Sequence, residues 1–283
     1  DRSGLRLARS AGALGGTFVM RIWLPGAILL IWAICALLGP MWVGDPNHIE
    51  LQRILAPPGP AGWLGFDDLG RPVWQRLVVG AQTSFMVSVM VVAVTAVIGA
   101  LLGTTSGFVG GWIDHLLVRI IDIFLAFPGI LLAIALAGVL GPGINNVVIA
   151  LSVVGWVGFA RLARAQVLTL KHREHVQAAT ALGVRRSRII IRHLLPLIVA
   201  PLIVEGTFAV AGAVIAEAGL SFLGLGVQPP AASWGSMIRD GTRYMLMAPH
   251  LVLAPGVALM LVVLGVNLLG DRLRDWMDVR SRP

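Results

Sequence analysis

The side chains that most often do chemistry in proteins are sparse in this chain, and their spacing matches no catalytic arrangement. The six histidines and the single cysteine, Cys35, form no HExxH pair and no Cys/His set of the kind that binds zinc. A P-loop needs Gly-Lys before Ser or Thr, whereas the only lysine, Lys171, lies between Leu170 and His172. The sequence therefore predicts no metal site, no bound cofactor and no catalysis by this chain.

Two carboxylates, Glu205 and Glu217, lie within one long apolar run. An ionisable side chain in a membrane-spanning segment is costly and usually has a role. Glu217 lies near the end of the run and before a glycine-rich turn, which favours a structural role there. Glu205 lies deeper, where it either lines a translocation path or pairs with a neighbour. Both roles stay open for Glu205. The candidate residues of the translocation path are therefore Glu205 and Glu217.

The elements that carry these residues are predicted to be transmembrane helices. The chain has 283 residues, of which 57% are hydrophobic and 13% charged, against about 25% charged in soluble domains. The first apolar run is too long for a cleaved signal, so we expect it to be retained. The sequence predicts an all-α integral membrane protein with six spans, near residues 22–44, 84–108, 120–140, 144–163, 197–218 and 250–269.

The distribution of basic residues predicts the orientation of these spans. Residues 161–192 contain eight Arg or Lys residues and one acid, Glu174. A charge at the bilayer centre costs about 3 kcal/mol, and basic loops stay in the cytoplasm. The remaining loops then alternate so that both termini are cytoplasmic and the 45–80 loop is outside. Since membrane orientation explains the net charge of +8, we expect no nucleic acid partner.

Segment 174–196 is predicted to form two short helices joined by a bend. Residues 174–182 are expected to form the first, with Val176, Ala179 and Leu182 on one face. Gly183 is placed to end it in a left-handed conformation. Ser187 is placed to cap the second helix, and Pro196 to kink the chain at membrane entry.

The spacing Gln177-Ala178-Ala179, Gly183, Leu195-Pro196 resembles the EAA motif of ABC-importer permeases, with Gln in place of the usual Glu. In that family this loop docks into an ATPase subunit. The resemblance implies that the docking residues are Glu174, Gln177, Ala178, Ala179, Gly183, Arg185, Arg186, Leu195 and Pro196.

The resemblance extends over nearly the whole chain, to the second permease subunit of the dipeptide/oligopeptide/nickel importer family. The matching pieces occur in order: WLGFDDLGR at 63–71, GAQTS at 80–84, GGWID at 110–114 with Arg119, Asp122 and Pro128, EAGLSFLGLG at 217–226, SWG at 233–235 and NLLGDRLRD at 267–275. It implies a type I permease fold, with an arm, first span and outer loop in 1–80 and a permease core in 81–283. It also implies a location in the bacterial inner membrane.

The same resemblance implies several partners. They are a second homologous permease, one or two P-loop ATPase subunits that hold ATP and Mg, an extracytoplasmic solute-binding protein, and membrane lipid. Asp67, Asp68 and Arg71 are the expected contacts to the binding protein. The nearby departures Phe66, Pro72 and Gln82 from the family pattern lie in or near this outer loop.

Other functions remain as alternatives at this point. The cargo is expected to be dipeptides or oligopeptides, with nickel, haem or glutathione as alternatives. A secondary transporter or channel without ATP would show paired intramembrane acids or repeated broken helices, and no partner for Glu205 repeats in the sequence. An intramembrane enzyme would need a nucleophile–base pair or a metal set. Arg119 and Asp122 have the i,i+3 spacing of a local ion pair.

Overall fold

The computed structural model describes the backbone of residues 3–280 and the side chains of residues 23–277. Over that range all regular elements are helical, and the strand-like contacts are two isolated bridges in the 43–72 loop. The predicted all-α class is confirmed. The helices are α1 (Ser3–Trp42), α2 (Val73–Val109), α3 (Gly111–Leu125), α4 (Gly129–Leu140), α5 (Ile144–Leu170), α6 (Glu174–Ala181), α7 (Arg186–Ile189), α8 (Leu195–Phe222), α9 (Trp234–Thr242) and α10 (His250–Arg280).

Five stretches are long and apolar enough to cross a membrane. They are Trp23–Trp42 in α1, α2, α5, the stretch Arg186–Phe222 that ends in α8, and His250–Met277 in α10. Five of the six predicted spans fall on these helices. The helices run past the predicted ends, because backbone hydrogen bonding continues beyond the apolar residues that mark the part facing lipid.

The predicted third span, residues 120–140, is not one helix. It is divided between α3 and α4, which meet at an angle of 85°. The break comes at Phe127 and Pro128, because proline lacks an N–H and disfavours the helical conformation of the residue before it. The count of six spans therefore holds when this bent pair is counted as one.

The closest helix packing is between α2 and α5. Gly99 and Gly103 in α2 lie directly against α5: a Cβ on Gly103 would come within 2.2 Å of the Ala160 carbonyl oxygen. Ala160 and Phe159 of α5 are fully buried in this contact. Small residues let two backbones approach closely, which is how helices associate tightly in membranes.

A second core lies where α1 and α9 pack on α2. The Trp32 and Phe85 rings meet edge to face with centroids 5.2 Å apart, and Trp234 lies 6.4 Å from Trp32. The Trp234 Nε1 donates to the Leu77 carbonyl at 3.0 Å, which fixes α9 against α2. The predicted division of the chain into residues 1–80 and a permease core of residues 81–283 falls inside α2, and it stays a prediction.

Candidate coupling segment and membrane cavities

The segment 174–196 folds around one sharp turn after α6. The Gly183 N–H donates to the Thr180 carbonyl at 3.1 Å, and the Val184 N–H donates to the Ala179 carbonyl at 3.1 Å. This pair of bonds is the Schellman motif, which ends helices at a left-handed residue. Gly183 has φ of 71°, a conformation that costs other residues about 1–2 kcal/mol. The predicted position of Gly183 is confirmed.

One face of the segment is continuous with the membrane core. Val176 and Ala179 of α6 are buried together with Ile189 and Leu194, in a cluster that includes Val167 of α5. The segment therefore has buried apolar contacts on both sides of its bend, and α6 packs against the ends of α5 and α8.

The residues that the resemblance assigns to docking divide by exposure. Ala179 is buried and Leu195 is half-buried. The others lie on the surface: Glu174, Gln177, Ala178, Gly183, Arg185, Arg186 and Pro196. The surface set is accessible, whereas Ala179 packs in the core, and the docking of all these residues to an ATPase stays a prediction.

Two local predictions about this segment are wrong. Leu182 is 83% exposed and does not share the buried face of Val176, because it lies after the last residue of α6, where the chain turns. Ser187 does not cap α7. It lies inside that helix, and Arg185 occupies the N-cap without a side-chain hydrogen bond.

Pro196 produces a widened turn at the start of α8. Residues Ile190–Leu194 form a π-helical turn, and the Leu195 N–H donates to the Ile190 carbonyl five residues back. Pro196 lacks an N–H and its ring crowds the carbonyl four residues earlier, so the turn before it opens. The predicted kink is thus a π-turn placed just before the proline.

Glu217 is fully buried where α2, α8 and the following turn meet. Its Oε2 accepts a hydrogen bond from Ser84 at 3.0 Å, and its Oε1 accepts one from Ser221 at 2.7 Å. Ser221 Oγ also accepts the Val227 N–H at 3.4 Å. The carboxylate thus ties the glycine-rich turn to α2, which favours the structural alternative. Glu217 does not line the three cavities of about 590, 660 and 670 Å³ that lie among the described residues.

Glu205, by contrast, borders three large open cavities, with volumes of about 590, 660 and 670 Å³. The first has mainly apolar walls from α2, α4, α5 and α8. The second cavity is also lined by Asp122 and Arg161, and the third is also lined by Gln166 and Arg274. Within the described part of the chain Glu205 has no hydrogen bond or ion pair. The structure therefore does not contain the pairing that the sequence left open for Glu205.

The outer-loop residues Asp67 and Arg71 mainly contact each other. Arg71 Nε lies 2.7 Å from Asp67 Oδ2, and their side chains are 10% and 13% exposed respectively. Arg76, at the start of α2, approaches the same Asp67 oxygen at 3.5 Å. Asp68 is more accessible, and its pKa is raised by burial and by the charge of Asp67. Asp67, Arg71 and Arg76 form an ion network that holds the loop on α2. The contact of Asp67, Asp68 and Arg71 with a binding protein stays a prediction.

The sequence missed the most extensive ion pair between helices. Arg164 of α5 lies with Nε 2.6 Å from Asp114 Oδ1 and Nη2 2.7 Å from Oδ2. The ion pair expected between Arg119 and Asp122 is absent from the described side chains. The available signal was that Asp114 and Arg164 lie at the same predicted membrane side, each near the end of an apolar run.

The described residues also include no cluster of three or more His, Cys, Asp or Glu side chains arranged to hold a metal ion.

Residues 96–283 match the family model described as binding-protein-dependent transport system inner membrane component. The chain belongs to this family.

The relatives of this permease agree with that assignment. It is 44% identical over 257 residues to the dipeptide transport system permease protein DppC of Alkalihalophilus pseudofirmus. The alignment covers 90% of this chain and 84% of the relative. It is 40% identical over 259 residues to the glutathione transport system permease protein GsiD of Escherichia coli O157:H7, covering 90% and 86%.

The fold of the permease is also found in solved structures. An inward-facing structure of the MetNI methionine ABC transporter superposes with a TM-score of 0.57, at 20% identity, over 70% of this chain and 95% of the other. The chain is therefore a multi-pass inner-membrane permease with the type I ABC-importer fold, and the resemblance stated from its sequence is confirmed.

Proposed function

We propose that this permease imports dipeptides or oligopeptides, using ATP that is hydrolysed on other subunits. The observation that carries the proposal is its 44% identity to a dipeptide permease over 90% of the chain. The permease itself contributes a path and a coupling segment and no catalysis. ATP and Mg²⁺ bind to the partner ATPases.

The proposed assembly contains two permeases, two ATPase domains and a solute-binding protein. A second homologous permease completes the path, and an ATPase docks on the exposed face of 174–196. Both termini and this segment are cytoplasmic, because the Arg-rich loops lie on one side. The binding protein delivers cargo at the 43–72 loop on the opposite side.

The packing of the coupling segment supports a mechanical role. Val176 is fully buried against the cluster that holds the ends of α5 and α8. Closure of the two ATPases on ATP would draw the docked segments together. Since α5 and α8 also form cavity walls around Glu205, that movement would switch access from one side of the membrane to the other.

A second candidate cargo is glutathione, because GsiD is 40% identical over the same share of the chain. Nickel and haem remain alternatives with other chemistry. For each of the four cargoes the proposed assembly is the same, and a solute-binding protein delivers the cargo.

The test is co-purification followed by uptake. A tag on this chain in gentle detergent should recover a second permease and a P-loop ATPase. The complex in proteoliposomes, with its binding protein, should then accumulate labelled Ala-Ala only when Mg-ATP is supplied to the ATPase side. Competition with glutathione, Ni²⁺ and haem would identify the cargo.

The opposite outcomes are equally informative. Recovery of this chain alone, under conditions that preserve other transporters, would contradict the assembly. Uptake that survives ATP depletion and stops when the ion gradient is collapsed would instead support a secondary transporter.

A further inference from the structure

Glu205 is a carboxylate that has no hydrogen-bond or ion-pair partner among the described residues, and it borders three cavities. It lies in α8, between an apolar cavity of about 590 Å³ and two more polar cavities of about 660 and 670 Å³. Among the described residues it is the one that lines all three of these cavities. A solute in any of the three can therefore reach this side chain.

The cations near Glu205 leave its charge unmatched. Arg164 lines one of the cavities, but its guanidinium is held by Asp114 through two hydrogen bonds. Arg161 and Arg274 line the two polar cavities, are exposed, and form no ion pair with Glu205. A half-buried carboxylate with no fixed partner can accept charge-assisted hydrogen bonds from a mobile cation.

The opposite helix leaves room for the carboxylate. A Cβ on Gly158 of α5 would come within 2.9 Å of Glu205 Oε1. Gly158 therefore lets the carboxylate lie against the α5 backbone, where its position is set by the helix.

We propose that Glu205 binds the free ammonium group of the cargo during translocation, as a transient cationic subsite within the membrane. This inference rests on the proposed function, since dipeptides carry such a group at their amino terminus. A charge-assisted hydrogen bond from an ammonium to a carboxylate is about twice as strong as a neutral one. Because the other side of the site is open cavity, the cation can enter from one cavity and leave through another.

The test compares Ala-Ala with N-acetyl-Ala-Ala in the complete reconstituted transporter. The binding protein discriminates between the two to the same extent in every variant, so the change in their uptake ratio reports on the permease. We expect Glu205→Gln to lower Ala-Ala uptake about tenfold, the effect of losing one hydrogen bond to a charged group, and to reduce the preference for the free amine. Glu205→Asp should retain most of that preference. An unchanged ratio and rate in Glu205→Gln would overturn the proposal.

A charge rescue keeps the test valid if Glu205→Gln assembles poorly. Glu205→Cys in a Cys35→Ala background leaves one thiol, because Cys35 is the only native cysteine. Labelling with a sulfonate-bearing methanethiosulfonate should restore Ala-Ala uptake, whereas a trimethylammonium-bearing reagent should not. Equal uptake with both reagents, or a thiol that neither reagent reaches, would overturn the proposal.

Gly158→Ala supplies an independent variant, since the added methyl displaces the carboxylate without removing it. It should raise the KM for Ala-Ala and leave assembly intact. Gly138→Ala adds the same methyl in α4, where a Cβ meets nothing within 4 Å, and should transport as wild type. The same KM in both variants would contradict the proposal. Failure of the wild-type transporter to take up Ala-Ala with ATP would instead show that the proposed function itself is wrong.

Discussion

Arg164 in α5 holds the carboxylate of Asp114 in α3 through two hydrogen bonds, from Nε at 2.6 Å and from Nη2 at 2.7 Å. Ser106 near the end of α2 donates a third bond to the same carboxylate. These contacts join three helices at the corner where α2 turns into α3. Leu117 and Ile121 of α3 also pack on Trp156 of α5, so this ion pair adds a polar anchor to an apolar one.

Replacing Arg164 with Lys should destabilise this corner. Lysine keeps the charge but lacks the planar fork that binds both carboxylate oxygens. We expect a loss of about 1.5–3 kcal/mol, the range for hydrogen bonds to charged groups, measured as a lower thermal midpoint in detergent. Arg161→Lys, on an exposed site of the same helix, is the control and should keep the wild-type midpoint. Equal midpoints in the two variants would show that the fork contributes nothing.

Gly183 should tolerate few substitutions. Its φ of 71° is disfavoured for Ala by about 1–2 kcal/mol. Gly183→Pro should also remove the N–H that donates to Thr180 and abolish transport-coupled ATP hydrolysis, with normal membrane insertion. The stability of Gly183→Asn should lie between that of Gly183→Ala and that of wild type, since Asn adopts the left-handed conformation more easily than Ala. Wild-type transport by Gly183→Pro would contradict the coupling role of the turn.

Leu182 should act as an apolar contact for the ATPase. It is 83% exposed and followed closely by Arg185 and Arg186, so its loss has little effect on the fold. We expect Leu182→Ala to reduce ATPase co-purification several-fold while the thermal midpoint of the permease stays unchanged. Ser187→Ala, which changes another exposed residue of the same segment, should retain the ATPase. If both variants retain it equally, the ATPase does not contact Leu182.

Glu217 should matter for stability more than for transport. Glu217→Ala leaves the buried hydroxyls of Ser84 and Ser221 without their acceptor, which costs about 1–3 kcal/mol for each unsatisfied group. Glu217→Gln keeps one acceptor oxygen and should cost less. Thermal unfolding in detergent measures both. A Glu217→Gln variant of normal stability that fails to transport would instead place Glu217 on the path.

The outer loop should show a pH-dependent stability difference at Asp68. Its pKa is raised above 3.8, first by burial and second by Asp67. The folded state therefore holds this proton more tightly than the unfolded state, so the Asp68 contribution to stability falls as pH rises through the folded pKa. We expect Asp68→Asn to have a higher thermal midpoint than wild type at pH 7. The difference should shrink as pH falls and disappear below 3.8, the ordinary pKa of an aspartate, and a difference that grew on acidification would contradict this assignment.

The sequence predicted those features that depend on local chemistry. Gly183 ends α6 because few other residues adopt its backbone conformation cheaply, and the apolar runs placed five helices correctly. The division of the third span was missed because Phe127 and Pro128 lie in an unbroken apolar run, where proline is compatible with either a kink or a full break. How far the chain bends there depends on what the two halves pack against.

Features set by tertiary contacts were not predictable in the same way. Glu205 and Glu217 belong to one apolar run, yet one borders open cavities and the other is enclosed by two serines. The choice depends on Ser84, which is distant in sequence and reaches Glu217 only through the packing of α2 on α8. For the same reason the true partner of Asp114 lies 50 residues away, whereas the i,i+3 rule pointed to a local pair at Arg119 and Asp122.

The interlocked backbones of α2 and α5 at Gly103 and Ala160 have a thermodynamic consequence. The two helices form one closely packed pair. The coupling segment follows one end of this pair, and the outer loop is held to the other end through Arg76 and Asp67. In the proposed assembly such a pair would couple ATP binding on one side of the membrane to binding-protein docking on the other. If ATP binding inside weakens the hold on a binding protein outside by some factor, docking of that binding protein must weaken ATP binding by the same factor.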